Sequence, residues 1–438
     1  MKQNSGVTLY QKAKRFIPGG TQLLSKRPEM FLPDAWPAYY SRCKGTHVWD
    51  LDNNEYIDMT ISGVGACVLG YADPDVDAAV GSAINAGNMC TLNSPEEVEL
   101  AEFLCNLHPW AGMVRYARTG GESMAVAVRI ARAYSGKDKV LFCGYHGWHD
   151  WYLSANLAES SALDGNLLPG LEPTGVPRGL QGTVFPFIYN DIDNFKLLFD
   201  KHKNDLACVV MEPVRSYWPL QGFLETIRDL TKRHSVPLIF DEVTSGLRMT
   251  SGGIHLKLNV EPDICVLAKA LGNGYPMAAI LGRTHIMNAA QKSFISSTYW
   301  TDRIGPSAAL ATLRKHSACD VSSHLIEMGT LVQNGWKEMG KRHGLDICVT
   351  GIPPLSHWKI QHPESQLIHT ILVHKMLDHG FLTSKSFYAN YSHNKDDVIN
   401  YLAALDLSFK DIVGYIKEGQ INNYPHGAIA HTAFSRLT

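Results

Sequence analysis

The chain has 438 residues, with Lys+Arg 40 against Asp+Glu 42 and a formal net charge of −2 at pH 7. It therefore has no overall positive field to attract a polyanion, and nucleic acid is not expected as a partner. Hydrophobic residues make up 45% of the chain and charged residues 19%, which excludes a disordered protein and provides for a large core.

The amino-terminal residues and the cysteines indicate the cellular compartment of the protein. Residues 1–6 are polar and lead into the charged stretch at residues 12–15 without an apolar segment, so export is not expected. No apolar run approaches the roughly 20 residues that a bilayer span needs, so we expect no membrane association. The nine cysteines contain no Cys-x-x-Cys pair and lie mostly among aliphatic residues. This pattern indicates reduced core thiols in a cytoplasmic protein.

Two strand-like runs within residues 36–60, at 38–40 and 47–57, predict a small hairpin with its turn at Asp52-Asn53-Asn54. Ser94-Pro95-Glu96-Glu97 then has the pattern of a capping box, which predicts a helix from Pro95 to just before His108. A second helix is predicted after Thr119-Gly120-Gly121, with a buried face that includes Met124, Ala127, Val128, Ala131 and Tyr134.

Short β-rich runs alternate with these helical stretches through the middle of the chain. They lie at residues 139–142, 207–211, 236–240, 263–267 and 277–281. Several are apolar at both alternating positions, as expected for strands covered by helices on both faces. The pattern predicts an α/β fold with a mainly parallel central sheet.

The two ends of the chain differ from this middle. Near the carboxyl end, Asn394 and Asp397 predict the start of a capped helix. We expect a smaller α+β lobe built from residues 1–70 and 319–438, and a large domain at residues 71–318.

Ligands of open α/β sheets bind beyond the carboxyl ends of the strands, so the residues that follow each run are informative. Asp241-Glu242 follows one apolar strand, where a buried Asp241 needs a cationic partner. Lys269 follows the next strand among small and apolar residues, and a desolvated lysine suits Schiff-base chemistry with a carbonyl compound.

Two further segments complete this group. Tyr145 and His146 lie on a loop rich in glycine, and Gly120-Gly121 precedes a helix whose free N–H groups can hold a phosphate. Taken singly, each feature also has another explanation. The glycine pair can be an ordinary turn, the lysine can be a solvated surface charge, and the acid pair can end a strand or bind Mg²⁺. His146 and His149 have no third ligand at a recognisable spacing, so no metal site is expected.

In combination, a phosphate cradle, a ring-stacking aromatic, a buried carboxylate and an amine nucleophile are the parts that hold pyridoxal 5'-phosphate (PLP). The sequence resembles class III aminotransferases of fold type I, and among them glutamate-1-semialdehyde aminomutase and its aminotransferase relatives. The resemblance covers nearly the whole chain, and the interval of 28 residues from Asp241 to Lys269 matches the family. It rests on these segments: Phe16-Ile17-Pro18-Gly19-Gly20, Trp49-Asp50 to Ile57-Asp58, Thr119-Gly120-Gly121-Glu122 with Arg129-Ile130-Ala131-Arg132, Tyr145-His146-Gly147, Asp241-Glu242-Val243 with Gly246-Leu247-Arg248, and Pro262-Asp263.

The resemblance implies a role for each residue. Lys269 forms a Schiff base with PLP and then moves the proton, and Asp241 pairs with the pyridine nitrogen. The remaining implied cofactor contacts are Tyr145 stacked on the ring with His146 beside it, Gly120 and Gly121 at the phosphate, and Glu212 near the ring hydroxyl.

Two departures from the family concern the phosphate. Many relatives have Ser-Gly-Thr where this chain has Thr119-Gly120-Gly121, so a hydroxyl is missing at the third position. Relatives also supply a threonine from the other protomer, a part that Thr298 or Thr301 can take here, and we favour Thr298. The resemblance thus implies a homodimer with its active sites at the interface.

The loop after Gly19-Gly20 differs from that of the aminomutase, which carries an Asn-Ser-Pro-Val-Arg type sequence. Here residues 21–28 include Lys26 and Arg27 as candidate substrate contacts, although an ordinary surface loop explains them equally well. We expect transfer of an amino group from glutamate to an aldehyde or ketone, such as a sugar or a keto sugar acid of the octulosonate type in amino sugar biosynthesis. The alternatives are a glutamate-1-semialdehyde 2,1-aminomutase and a catalytically silent PLP-fold binding protein.

Overall fold

The computed structural model describes residues 4–166, 169–214, 216–424 and 427–432. The chain forms two compact units, one comprising Met1–Asp73 with Ser323–Thr438 and the other Pro74–Ser322. The sequence prediction placed the large domain at residues 71–318.

The strands of the described residues are, in chain order, β1 (Tyr40–Lys44), β2 (His47–Asp50), β3 (Glu55–Met59), β4 (Met113–Ala117), β5 (Lys139–Cys143), β6 (Val184–Pro186), β7 (Leu206–Met211), β8 (Leu238–Asp241), β9 (Ile264–Leu267), β10 (Ala278–Gly282), β11 (Ile347–Thr350), β12 (Leu355–Ile360), β13 (Phe381–Thr383) and β14 (Ser386–Tyr388).

The α-helices of the described residues are α1 (Ser5–Ala13), α2 (Pro74–Ala86), α3 (Pro95–Leu107), α4 (Gly120–Ser135), α5 (Asp150–Leu153), α6 (Ala155–Ala158), α7 (Ile192–His202), α8 (Phe223–Arg233), α9 (His255–Leu258), α10 (Thr284–Met287), α11 (Ile304–Ala318), α12 (Val321–His343), α13 (Ser365–Asp378) and α14 (Lys395–Lys417). None of these helices is both long and apolar enough to cross a bilayer.

The larger unit contains a seven-stranded sheet in the order β4-β10-β9-β8-β7-β5-β6 within the described residues. Strands β5 to β9 pair in parallel, whereas β10 is antiparallel to both β9 and β4. The α/β fold with a mainly parallel sheet, predicted from the apolar runs, is confirmed. The sequence did not indicate the two edge strands β4 and β6.

The central strands are buried on both faces because their side chains enter two separate cores. On β7, Cys208 and Val210 pack in the core that includes α4, whereas Val209 and Met211 pack in the core that includes α7 and α8. This alternation explains why the strand is apolar at every position. Helix α4 buries Met124, Ala127, Val128 and Ala131 as predicted, but Tyr134 is 39% exposed and lies outside that face.

The smaller unit contains a four-stranded sheet, β1-β2-β3-β13, and a three-stranded sheet, β11-β12-β14, in its described residues. The predicted hairpin is the antiparallel pair β2 and β3, to which β1 adds a third strand. Asn394 caps α14 as predicted: its Oδ1 accepts the Asp397 backbone N–H at 2.9 Å, and Asp397 Oδ2 accepts the Asn394 N–H at 3.2 Å.

Two predictions need correction. Ser94 makes no capping hydrogen bond with its side chain, so the capping box of α3 is absent. In the same turn Glu96, the neighbour of the Glu97 that the predicted box required, forms an ion pair with Arg303 at 2.7 Å. The cysteines are all free, but only Cys143, Cys208 and Cys265 are buried, and the exposed ones are Cys90, Cys319 and Cys348.

Candidate active site

Two adjacent parallel strands bring Asp241 and Lys269 to the same edge of the large sheet. Asp241 is the last residue of β8, and Lys269 follows the end of β9 by two residues. The strand register pairs Asp241 with Val266. Because carboxyl ends of parallel strands meet at one edge, the carboxylate and the amine belong to one site.

Asp241 is buried and held by two hydrogen bonds. Its Oδ1 accepts the Val243 backbone N–H at 3.0 Å, and its Oδ2 lies 2.8 Å from His146 Nδ1. The other ring nitrogen of His146 lies 3.2 Å from the Cys143 carbonyl oxygen. The His146 ring is thus fixed between two oxygen atoms and orients the buried carboxylate.

The amine of Lys269 is held by a residue that the sequence analysis missed. Lys269 Nζ donates a hydrogen bond of 2.8 Å to Oγ1 of the buried Thr244. Lys269 itself is half-buried and has a φ of 47°. Thr244 follows Asp241 by three residues in the turn after β8, and that proximity was the only signal in the sequence. The turn after β8 thus contacts the amine that follows β9.

The amino-terminal end of α4 lies against this turn. A Cβ atom on Gly120 would lie 2.7 Å from Val243 Cγ1, so only glycine fits there. Glu122 Oε2 accepts the backbone N–H groups of Arg118 and Thr119, at 2.9 and 3.3 Å. The Thr119 side chain accepts the Glu122 N–H, so the first two N–H groups of the helix, those of Gly120 and Gly121, have no partner within it, and a phosphate suits such a helix end.

The Tyr145 loop is fixed by Glu212 at the end of β7. Glu212 Oε2 accepts the Tyr145 backbone N–H at 3.0 Å. Gly144 has a φ of +113°, and a Cβ atom there would lie 2.6 Å from the same oxygen, so a side chain is not tolerated. The Tyr145 ring packs edge-on to Tyr152 with centroids 6.1 Å apart. Glu212 therefore orients the loop that presents the aromatic ring.

Further along this loop, His149 lies against the helix end. A Cβ atom on Gly121 would lie 3.1 Å from His149 Nδ1, and one on Gly147 would lie 2.7 Å from Gly121 Cα. His149 stacks on Trp148 with ring centroids 4.4 Å apart. The sequence analysis considered His149 only as a metal ligand. In the structure it is instead a neighbour of the expected phosphate cradle.

Glu242 does not share a site with Asp241. It is buried and accepts the backbone N–H groups of Ile254 and His255, and its Oε1 lies 2.6 Å from His255 Nδ1. Trp110 Nε1 in turn donates to His255 Nε2 at 2.9 Å. Glu242 and His255 lie close enough to Cys265 to share a metal ion, but their ligand atoms are occupied by these hydrogen bonds. This network is structural.

The remaining candidates lie elsewhere. Thr298 and Thr301 bound a short 3-10 turn in which Thr301 Oγ1 donates to the Thr298 carbonyl at 2.9 Å. Trp300 of that turn donates to Glu122 Oε1 at 2.9 Å. Lys26 and Arg27 belong to the smaller unit, where Lys26 is exposed and Arg27 half-buried. Their roles stay predictions.

A cavity of about 600 Å³ lies at the opposite ends of the parallel strands, beside Pro237 and Asp263. Three of its charged residues pair with one another, because Asp263 binds Arg228 at 2.6 Å and Arg283 at 3.2 Å. Strand-end chemistry in this fold occurs at the carboxyl edge, so the cavity is not the candidate site.

The residues at the carboxyl edge fit PLP. Gly120 and Gly121 form a cradle without side chains at a helix end, Asp241 is a buried carboxylate oriented by His146, and the amine of Lys269 lies at the same edge. This donor set combines an anion site, a carboxylate for a ring nitrogen and a primary amine for an aldehyde.

Comparison with known proteins agrees with this donor set. The family model Aminotransferase class-III matches residues 33–385. The chain is 34% identical over 361 residues to the glutamate-1-semialdehyde 2,1-aminomutase of Methanothrix thermoacetophila, covering 80% of this chain and 81% of the relative. It is 30% identical to the 2'-deamino-2'-hydroxyneamine transaminase of Streptomyces kanamyceticus, over 73% of this chain and 77% of the relative.

The structure of the FumI protein of Sphingopyxis sp. MTA144, solved with PLP, superposes with a TM-score of 0.85. It is 25% identical in sequence, and the match covers 94% of this chain and 97% of FumI. The expected fold-type I architecture and PLP as cofactor are thereby confirmed. The chain belongs to the class III aminotransferases, the PLP-dependent transaminases of fold type I.

Proposed function

We propose that this aminotransferase takes its amino group from glutamate and passes it to the carbonyl of a sugar or a keto sugar acid, of the octulosonate type. The observation that carries the choice is the loop at residues 21–28, which supplies hydroxyl, amide and positively charged side chains. Such groups suit a polyhydroxylated, acidic acceptor. A relative named for transamination of a hydroxyneamine supports an acceptor of this kind.

Within the site, each residue is proposed to have one task. PLP would supply a sink for the electrons released at the substrate carbon. Lys269 would hold the cofactor and, once its amine is free, would carry the proton from the donor's carbon to the cofactor's carbon, and in the opposite direction for the acceptor. Thr244 orients that amine through the 2.8 Å hydrogen bond. Asp241, backed by His146, keeps the pyridine nitrogen protonated.

The other contacts are proposed to position the cofactor. Tyr145 stacks on the ring, and Glu212 holds the Tyr145 loop in place on the side of the ring hydroxyl. Gly120 and Gly121 donate backbone N–H groups to the phosphate. Lys26 and Arg27 are proposed to meet the acidic group of the acceptor.

A homodimer is also proposed, with Thr298 of one protomer at the phosphate of the other. Thr298 is exposed in the single chain. Its neighbours include Phe294, 92% exposed, and Tyr299, 71% exposed. Large apolar side chains exposed together mark an interaction surface, which supports an interface at this segment.

The aminomutase is the second candidate, supported by a relative that is 34% identical. It is disfavoured because residues 21–28 lack the Asn-Ser-Pro-Val-Arg type loop. The two activities differ in products: a transaminase releases 2-oxoglutarate from glutamate in a separate half-reaction, whereas the mutase releases none.

The test has two steps. The protein loaded with PLP is first incubated with glutamate, and 2-oxoglutarate is measured together with the cofactor's absorption spectrum. Keto sugar acids and other carbonyl compounds are then screened for recovery of the original spectrum. We expect one 2-oxoglutarate per site and recovery with a keto sugar. Conversion of glutamate 1-semialdehyde without 2-oxoglutarate would establish the mutase, and a protein that never binds PLP would establish the silent alternative.

A further inference from the structure

His149 has a ring nitrogen without a hydrogen-bond partner beside the phosphate cradle. Its Nδ1 is buried, and no described residue bonds to it. Buried polar atoms are nearly always paired, so an unpaired one indicates that a partner is absent from the protein alone. The ring is fixed by its stack on Trp148, so Nδ1 does not turn freely to find another acceptor.

The position of this nitrogen coincides with a side chain that the chain lacks. A Cβ atom on Gly121 would lie 3.1 Å from Nδ1 and 3.2 Å from Cε1 of His149. The imidazole therefore occupies the space into which a side chain at position 121 would project.

Gly121 is the second residue of α4, at the end where free N–H groups favour an anion. Burial lowers the pKa of His149, although Glu122 and Asp150 nearby oppose this shift. The ring is consequently uncharged near neutral pH and carries one N–H, which can reside on Nδ1.

We propose that His149 is a phosphate ligand of PLP: its Nδ1–H donates to the phosphate from the space that a side chain at position 121 would fill. The missing side chain at Gly121 thus leaves room for the imidazole at the phosphate cradle. The inference rests on the proposed phosphate cradle at Gly120 and Gly121, but not on the identity of the amino acceptor.

The test compares PLP with pyridoxal, which lacks the phosphate. The apoprotein is titrated with each compound, and binding is followed by quenching of tryptophan fluorescence and by the visible absorption band. His149→Leu removes the donor but keeps the bulk, and His149→Asn keeps a polar atom at the distance of Nδ1. We expect His149→Leu to weaken PLP about tenfold, since a hydrogen bond to a charged group is lost. His149→Asn should stay within about threefold, and pyridoxal should bind all three proteins equally.

A second comparison exchanges the two positions. In the His149→Ala protein, Gly121→Ser should restore PLP affinity, because after removal of the ring the nearest atom to a Cβ is Gly147 Cα at 3.5 Å. In the wild-type background the same Gly121→Ser should weaken PLP, because the ring is still there.

The binding measurements distinguish the role of His149 from the existence of the cofactor site and from the identity of the acceptor. Unchanged PLP affinity in His149→Leu, equal losses of PLP and pyridoxal, or no restoration by Gly121→Ser would each overturn the role of His149. A wild-type protein that binds neither compound would contradict the cofactor site itself. No acceptor is added, so failure of the proposed substrate cannot imitate any of these results.

Discussion

The hydroxyl of Thr244 contacts the amine of Lys269 directly, which indicates that Thr244 orients this amine. We predict that Thr244→Val lowers turnover about tenfold, since a net hydrogen bond contributes on the order of 1 kcal/mol and the amine loses its orientation. The pH profile of kcat should shift as well. Thr244→Ser keeps the hydroxyl and should restore both values. Equal losses in Val and Ser variants would indicate packing alone.

Removal of the amine at position 269 gives the sharpest single result. Lys269→Ala should abolish turnover, by at least about a thousandfold, while the circular dichroism spectrum and melting temperature stay close to wild type. Lys257→Ala, on α9 of the same unit, is the matched control and should keep full activity. Normal turnover in Lys269→Ala would end the assignment of this residue.

The sequence indicated that Asp241 and Lys269 lie at the same edge of the sheet, because both follow apolar runs typical of buried parallel strands, and the structure adds that β8 and β9 are neighbours. The sequence did not suffice for Thr244 or His149. A hydroxyl in a turn and a histidine in a loop are common, and their meaning depends on which residue packs against them. The contact between His149 and Gly121 joins two elements 28 residues apart (149 − 121), and no local pattern encodes it.

At the scale of elements, the strands buried on both faces were predictable and the edge strands were not. Strand β4 contains Arg115 and Tyr116, which are half-buried and disturb the apolar pattern. Strand β6 has only three residues and ends in proline, a residue suited to a sheet edge. Ser94 shows the same limit at a helix end, since the pattern of a capping box is present but the Ser94 side chain makes no capping hydrogen bond.

The capping box of α14 provides a stability test. Asn394→Ala removes the acceptor of the Asp397 N–H and should lower the free energy of unfolding by about 1 kcal/mol. Asn400→Ala makes the same chemical change at an exposed position inside the helix, where alanine favours the helix. Denaturant unfolding should therefore show a loss only for position 394. A loss of equal size at both positions would contradict the capping argument.

For the whole molecule, buried histidines make stability depend on pH. Burial, with a smaller contribution from Arg248, lowers the pKa of His316 to about 4, and burial lowers that of His108 to about 4. The unfolded chain takes up these protons near pH 6.5, so stability is lost as the pH falls from about 6.5 to about 4. The melting temperature should fall across this window, and less steeply in His316→Gln. His374→Gln, at an exposed position, should leave the slope unchanged.

The assembly can be tested in the same preparation. Light scattering should give about twice the chain mass of 48.5 kDa. Thr298→Val should weaken PLP binding about tenfold without changing that mass, whereas Thr301→Val should have little effect. A monomer with full PLP affinity would contradict the shared site.

The backbone of Lys269 has an unusual conformation for a residue other than glycine. A φ of 47° is left-handed, a conformation that costs an L-residue roughly 1 kcal/mol or more and that glycine adopts freely. The position at which the proposed mechanism needs a lysine is thus one at which folding alone would prefer glycine. Selection for folding stability favours glycine at position 269, whereas selection for turnover favours lysine. The lysine is therefore retained only while the reaction is under selection.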